Sequence, residues 1–134
     1  MINDIAPNAR SVFADAIVRN PRNRDHYMHI QPVGVLVEIY VVDELIAQSE
    51  QAVWLQETGK TIYPPRIYLP KTDLRQELSV LDKKTHCPLK GDASYYSYYG
   101  KEIAWSYDIP FNFARTIKGL VSYWPERVRM EIGV

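Results

Sequence analysis

The sequence predicts a mainly β domain with a few short helices, an α+β chain whose body is a compact antiparallel fold. Three observations lead there. Val35, Val37, Ile39 and Val41 recur at every second position, the pattern of a half-buried strand. Between Ala93 and Asp108, aromatic residues lie on both sides of Gly100, as in an aromatic hairpin. Nine prolines, ten tyrosines and short β-branched runs leave little room for long helices.

Residues 1–27 read as an N-terminal extension with one short helix, Ala9 to Val18, showing Val12, Phe13, Ala16 and Ile17 on one face. Asn20-Pro21-Arg22-Asn23 stops it, because Asn and Pro both break helices. Residues 28–134 form a single β-rich domain on which this extension packs. Val35 to Val42 is its clearest strand, Asp43-Glu44 a polar break, and Leu45 to Gln48 the returning strand of a hairpin. Ala52 to Gln56 and Arg66 to Leu69 are further strands, the second preceded by an extended Tyr63-Pro64-Pro65. Thr72 or Asp73 caps a short helical turn reaching Leu78.

In the aromatic hairpin, Tyr99-Gly100-Lys101-Glu102 suits a type II′ turn with Gly100 at positive φ. That register places Ser94, Tyr96 and Tyr98 on one face with Tyr107, Trp105 and Ile103. Pro110 to Lys118 then reads as a short helix carrying Phe113 and Ile117, continued by Leu120 at the same spacing, with Gly119 as its stop. Val121 to Trp124 and Arg127 to Ile132 close the chain as strands, with Val128, Met130 and Ile132 pointing inward.

The bulk properties exclude several function classes. The 134 residues suit one domain, with 16 basic side chains balanced by 16 acidic ones. Such balance supplies no general attraction to nucleic acid or to an anionic membrane, so neither is an expected partner. Cys87 is the single cysteine, which rules out an intrachain disulfide and a four-cysteine zinc site. No secretory signal is evident and no apolar run approaches the ~20 residues of a membrane span, so a cytoplasmic location is expected.

One segment concentrates reactive groups: Thr85-His86-Cys87-Pro88-Leu89-Lys90-Gly91-Asp92-Ala93-Ser94. Proline stiffens its centre, and Gly91 permits close backbone approach to a ligand. Functional groups on a loop held between strands are a common site design. A Cys87 nucleophile needs a neighbouring charge or base, which Lys90 could provide; the bland alternative is a small buried thiol. His86 adjoins Cys87, but neighbours on a strand point to opposite faces. His26, His29 and His86 could supply imidazoles to a metal, but His26 and His29 share a face only on a helix, and Pro32 argues for extended chain. No metal is assigned. Lys90-Gly91, helped by Arg66 and Lys71, could hold an anion, although the chain has no phosphate-binding glycine loop. Glu57 follows an apolar strand and is a candidate orienting acid or base, with a solvated turn residue as the plain alternative. Trp105 and Tyr107 could floor a pocket or simply fill the core.

The same segment, Thr85 to Tyr96, closely resembles the signature of the domain-of-unknown-function family 427, a Thr-x-Cys-Pro-Tyr-Lys-Gly-x-Ala-Ser-Tyr-Trp core. Other matches keep the family's order: Ala47-Gln48-Ser49, Glu57-Thr58, Tyr68-Leu69-Pro70 with Asp73, Ala104-Trp105-Ser106-Tyr107, Ile117-Lys118-Gly119 and Tyr123-Trp124-Pro125-Glu126-Arg127-Val128. The resemblance spans about residues 28–132. Leu89 stands where the family has an aromatic residue, and Tyr96 where Trp is common. The resemblance implies a tent-like, Mss4-type β architecture without its paired Cys-x-x-Cys metal motifs. The family is sometimes catalogued as nucleotidyltransferase-like, a name that carries no established reaction to this chain.

Two functional expectations follow. The first is a small-molecule binder or small enzyme with a pocket for an anionic ligand. Its candidate ligand-binding residues are His86, Cys87, Lys90, Gly91, Glu57, Tyr96, Trp105 and Arg66, with Lys90 as the charge partner. The second is a structural or protein-interaction domain in which Thr85 to Ser94 determines the fold. The sequence indicates neither a cofactor nor an oligomeric state.

Overall fold

The computed structural model describes residues 16–133. They form a mostly β chain: an antiparallel eight-stranded sheet and a smaller three-stranded one. The larger sheet contains β1 (Ala16–Asn20), β2 (Asn23–Pro32), β5 (Val53–Thr58), β6 (Arg66–Pro70), β7 (Ser79–Cys87), β8 (Gly91–Tyr98), β9 (Lys101–Pro110) and β10 (Leu120–Tyr123). Their spatial order is β1-β2-β5-β6-β10-β9-β8-β7. The smaller sheet sets β3 (Val37–Val41) between β11 (Arg129–Ile132) and β4 (Glu44–Ser49). Two short 3₁₀ segments, Lys71–Asp73 and Asn112–Ile117, are the helical elements among the described residues.

The large sheet curls without closing into a barrel. Its two ends approach where Asn20 Nδ2, at the end of β1, donates to the carbonyl of Pro88 beyond β7, 3.3 Å away. Alternation along the strands gives the sheet two apolar faces. One packs Met28, Ile30, Leu55, Tyr68, Leu89, Trp105 and Tyr107 with Ala114 and Ile117 of the second 3₁₀ segment. The other packs Ile67, Leu69, Tyr96, Ala104 and Val121 against Val37, Ile39, Ile46 and Ala47 of the small sheet.

Several local expectations change. Most of the helix expected over 9–18 lies outside the described residues, and its last three positions belong to β1. The boundary expected at residue 28 falls inside β2. The helical turns expected up to Leu78 and over 110–118 shorten to the two 3₁₀ segments, because β9 runs through Pro110 and Leu74 is already extended. Ile132 is exposed at the end of edge strand β11.

The hairpin register also differs. Tyr98 pairs with Lys101, so Tyr99 and Gly100 form the turn, both at positive φ (50° and 80°). That is the type I′ geometry, which takes positive φ at both central residues, and it sets the turn one residue earlier than expected. Irregularities at Tyr96/Ser97 and Asp92/Ser94 then shift the pairing. Tyr95, not Tyr96, faces Trp105, and Ile103 and Ala104 both enter the same core.

Candidate functional site

The cavity lies on the large sheet's first face. Leu55 and Glu57 on β5, Arg66 and Tyr68 on β6, and Trp105 and Tyr107 on β9 are spaced by two, so each pair shares a face. Together with Tyr63, Pro64, Lys90, Tyr95 and Trp124 they line a cavity of about 200 Å³. Its walls are aromatic. Trp105 packs edge-on to Tyr68 with centroids 6.2 Å apart, and its indole N–H donates to the Tyr68 hydroxyl at 3.0 Å. Trp124 lies against Trp105, centroids 4.3 Å apart.

Three charged groups reach this cavity. Lys90 sits in the turn between β7 and β8, where Gly91 takes φ +110°. The turn folds inward, leaving Leu89 fully buried and Lys90 only 7% exposed. Lys90 Nζ donates to Glu57 Oε1 at 2.5 Å and stands 5.3 Å from the centre of the Tyr107 ring. Burial opposes its charge, but the facing Tyr68, Tyr107 and Glu57 outweigh that and hold Lys90 above the ordinary lysine value. Glu57 is likewise opposed by burial, yet Lys90 and His26 keep its carboxyl below the usual range. His26 Nε2 lies 2.7 Å from the other oxygen, Oε2. Glu57 is therefore clamped from both sides.

Arg66 differs. Its guanidinium carbon lies 5.8 Å from the Trp105 ring centre and 5.5 Å from that of Trp124, and among the described residues it meets no carboxylate.

The predicted residues divide into three groups. Glu57, Arg66, Lys90 and Trp105 meet at the cavity. Gly91 builds the turn behind it, and Cys87 is half-buried with a donor atom within 4.8 Å of donors on His26 and Glu57. His86 and Tyr96 lie elsewhere. Alternation turns His86 outward, where Nδ1 lies 2.7 Å from Asp92 and the ring packs edge-on to Phe111. Tyr96 is on the opposite face, holding Ser106 at 2.8 Å, Asp108 at 3.0 Å and Lys71 at 2.8 Å. His29 lines a separate surface cleft with Trp54 and Gln56, so the three histidines do not converge.

Tyr68, Tyr95 and Trp124 were not among the candidates, and His26 was considered only as a metal ligand with His29 and His86. Tyr68 and Trp124 stand in the family-like motifs, and alternation from Arg66 marks Tyr68 as facing the same way. His26 offers no such signal, because its partner is 31 residues away.

Several of the segments that carry the family resemblance thus contribute to one cavity, through Glu57, Tyr68, Lys90, Tyr95, Trp105, Tyr107 and Trp124. No match was found among curated proteins. The family model NTP_transf_9, described as Domain of unknown function (DUF427), matches residues 29–133. The match covers most of the chain, and the protein belongs to the DUF427 family.

Proposed function

We propose that the protein binds a small anionic molecule in the aromatic cavity, with Arg66 as the charge partner. The observation behind this is the contrast between the two cations. Lys90 is neutralised by Glu57 at 2.5 Å, whereas Arg66 lies beside the packed Trp105–Trp124 pair with no acidic partner among the described residues. A guanidinium so placed offers its planar donor fork to a carboxylate or phosphate, and the aromatic walls receive an apolar or planar body. At about 200 Å³ the space suits a small molecule. The family-model name points to nucleotidyl transfer, but the cavity offers Glu57 as its single carboxylate among the described residues, and the reading here is binding.

Tryptophan fluorescence tests this directly, because Trp105 and Trp124 lie next to Arg66. Benzoate, inorganic phosphate and a panel of small carboxylates are titrated into the wild type and Arg66→Ala. Saturable quenching by at least one anion, weakened about tenfold or more by the substitution, is expected for a charge-assisted contact of roughly 1.5–3 kcal/mol. No saturable response to any anion, or equal affinity in the variant, overturns the proposal.

The fold-determinant role of Thr85 to Ser94 has its own support. Leu89 is fully buried and Gly91 is tightly surrounded, so the turn also builds the core.

A further inference from the structure

Beside the cavity, three strands bring together His26 from β2, Glu57 from β5 and Cys87 at the end of β7. One donor atom from each lies within 4.8 Å of the others, and all three residues are half-buried. We propose that these three side chains form a mononuclear site for a zinc-class cation.

The spacing fits that chemistry. Bonds of about 2.3 Å to sulfur and about 2.0–2.2 Å to nitrogen or oxygen place tetrahedral zinc donors roughly 3.3–3.8 Å apart. A metal there would open the His26–Glu57 contact from 2.7 Å and draw the Cys87 sulfur toward both. The donor set is a thiolate, an imidazole and a carboxylate, which suits zinc or cobalt(II) and disfavours magnesium and calcium. Binding releases the Cys87 proton, and the metal replaces the contact of 2.7 Å between His26 Nε2 and Glu57 Oε2. Lys90 already holds Glu57 Oε1, so it leaves Oε2 for the metal and fixes the carboxylate's orientation, as an outer partner does. Two anionic donors offset the divalent charge, so the nearby ammonium is tolerated. Gly59 adds room beside the imidazole: a Cβ there would stand 3.3 Å from His26 Cδ2.

Cobalt(II) titration of the reduced, metal-free protein tests the site, independently of the anion reading because Arg66 supplies no donor. A sulfur-to-cobalt charge-transfer band saturating at one equivalent and bleached by zinc is expected. Cys87→Ser should abolish the band, and His26→Ala and Glu57→Gln should each weaken binding by about tenfold or more. Absence of the band in the wild type overturns the proposal. So does a band whose affinity is unchanged in both the His26 and Glu57 variants, which is a lone thiol. Should a variant fail to fold, X-ray absorption of the zinc-loaded wild type replaces it. One sulfur with nitrogen and oxygen donors supports the site, and a shell lacking sulfur overturns it.

Discussion

Lys90 Nζ and Glu57 Oε1 are 2.5 Å apart across 33 residues of chain, with the two side chains 9% and 15% exposed. The pair joins the turn after β7 to the end of β5. It also sets the charge of the cavity, since it removes Lys90 as an open cation and leaves Arg66.

A buried pair is costly to break from one side. Lys90→Met is expected to destabilise the fold by about 3 kcal/mol, because it leaves the Glu57 carboxylate with His26 alone. Adding Glu57→Gln should restore part of that loss. A double-mutant cycle in urea would show a coupling above about 1 kcal/mol. Strict additivity would mean that the pair contributes nothing as a pair.

The two turn glycines should behave differently. At Gly91, with φ +110°, a Cβ would stand 3.2 Å from Phe111 N and Pro110 Cα. Both contacts are backbone and cannot easily yield. At Gly100, with φ +80°, a Cβ meets nothing within 4 Å. Gly100→Ala should therefore cost about 1 kcal/mol of backbone strain, and Gly91→Ala at least about 2 kcal/mol. Thermal melts of the two variants check the order, and equal losses would contradict the crowding at Gly91.

Asp108 governs a pH dependence on the other face. Burial works against its charge, but hydrogen bonds from Lys71, Ser106 and Tyr96 hold its carboxyl below the ordinary value. Lys71 Nζ is 2.7 Å from Oδ1. A depressed carboxyl stabilises the fold fully above its unfolded value, near ~3.9, and that contribution is lost as pH falls through the folded value. The pair is over a third exposed, so solvent screening limits the effect to about 1 kcal/mol or less. Urea midpoints at neutral and acidic pH should differ less in Asp108→Asn than in the wild type. An unchanged difference would remove Asp108 from the acid response.

The legible parts of the site were those written in short-range pattern. Arg66 and Tyr68, or Trp105 and Tyr107, share a face because they are two residues apart on a strand. The same rule separated His86 from Cys87, and the structure places them on opposite sides of β7. Tyr96 was misplaced because the turn falls one residue earlier than expected. Regular pairing from Tyr98 and Lys101 would set Ser94 opposite Trp105; the irregularity between Tyr96 and Ser97 makes it Tyr95, and such a shift depends on what the two strands pack against.

The sequence by itself determined the β class, the family and the faces of individual strands, because each is encoded in neighbouring residues. Tertiary structure alone decided that Lys90 would be spent on Glu57, that His26 would close on the same carboxylate, and that Arg66 would be left open beside Trp105 and Trp124. These relationships join strands distant in sequence. They depend on sheet order and curvature, which no local alternation specifies.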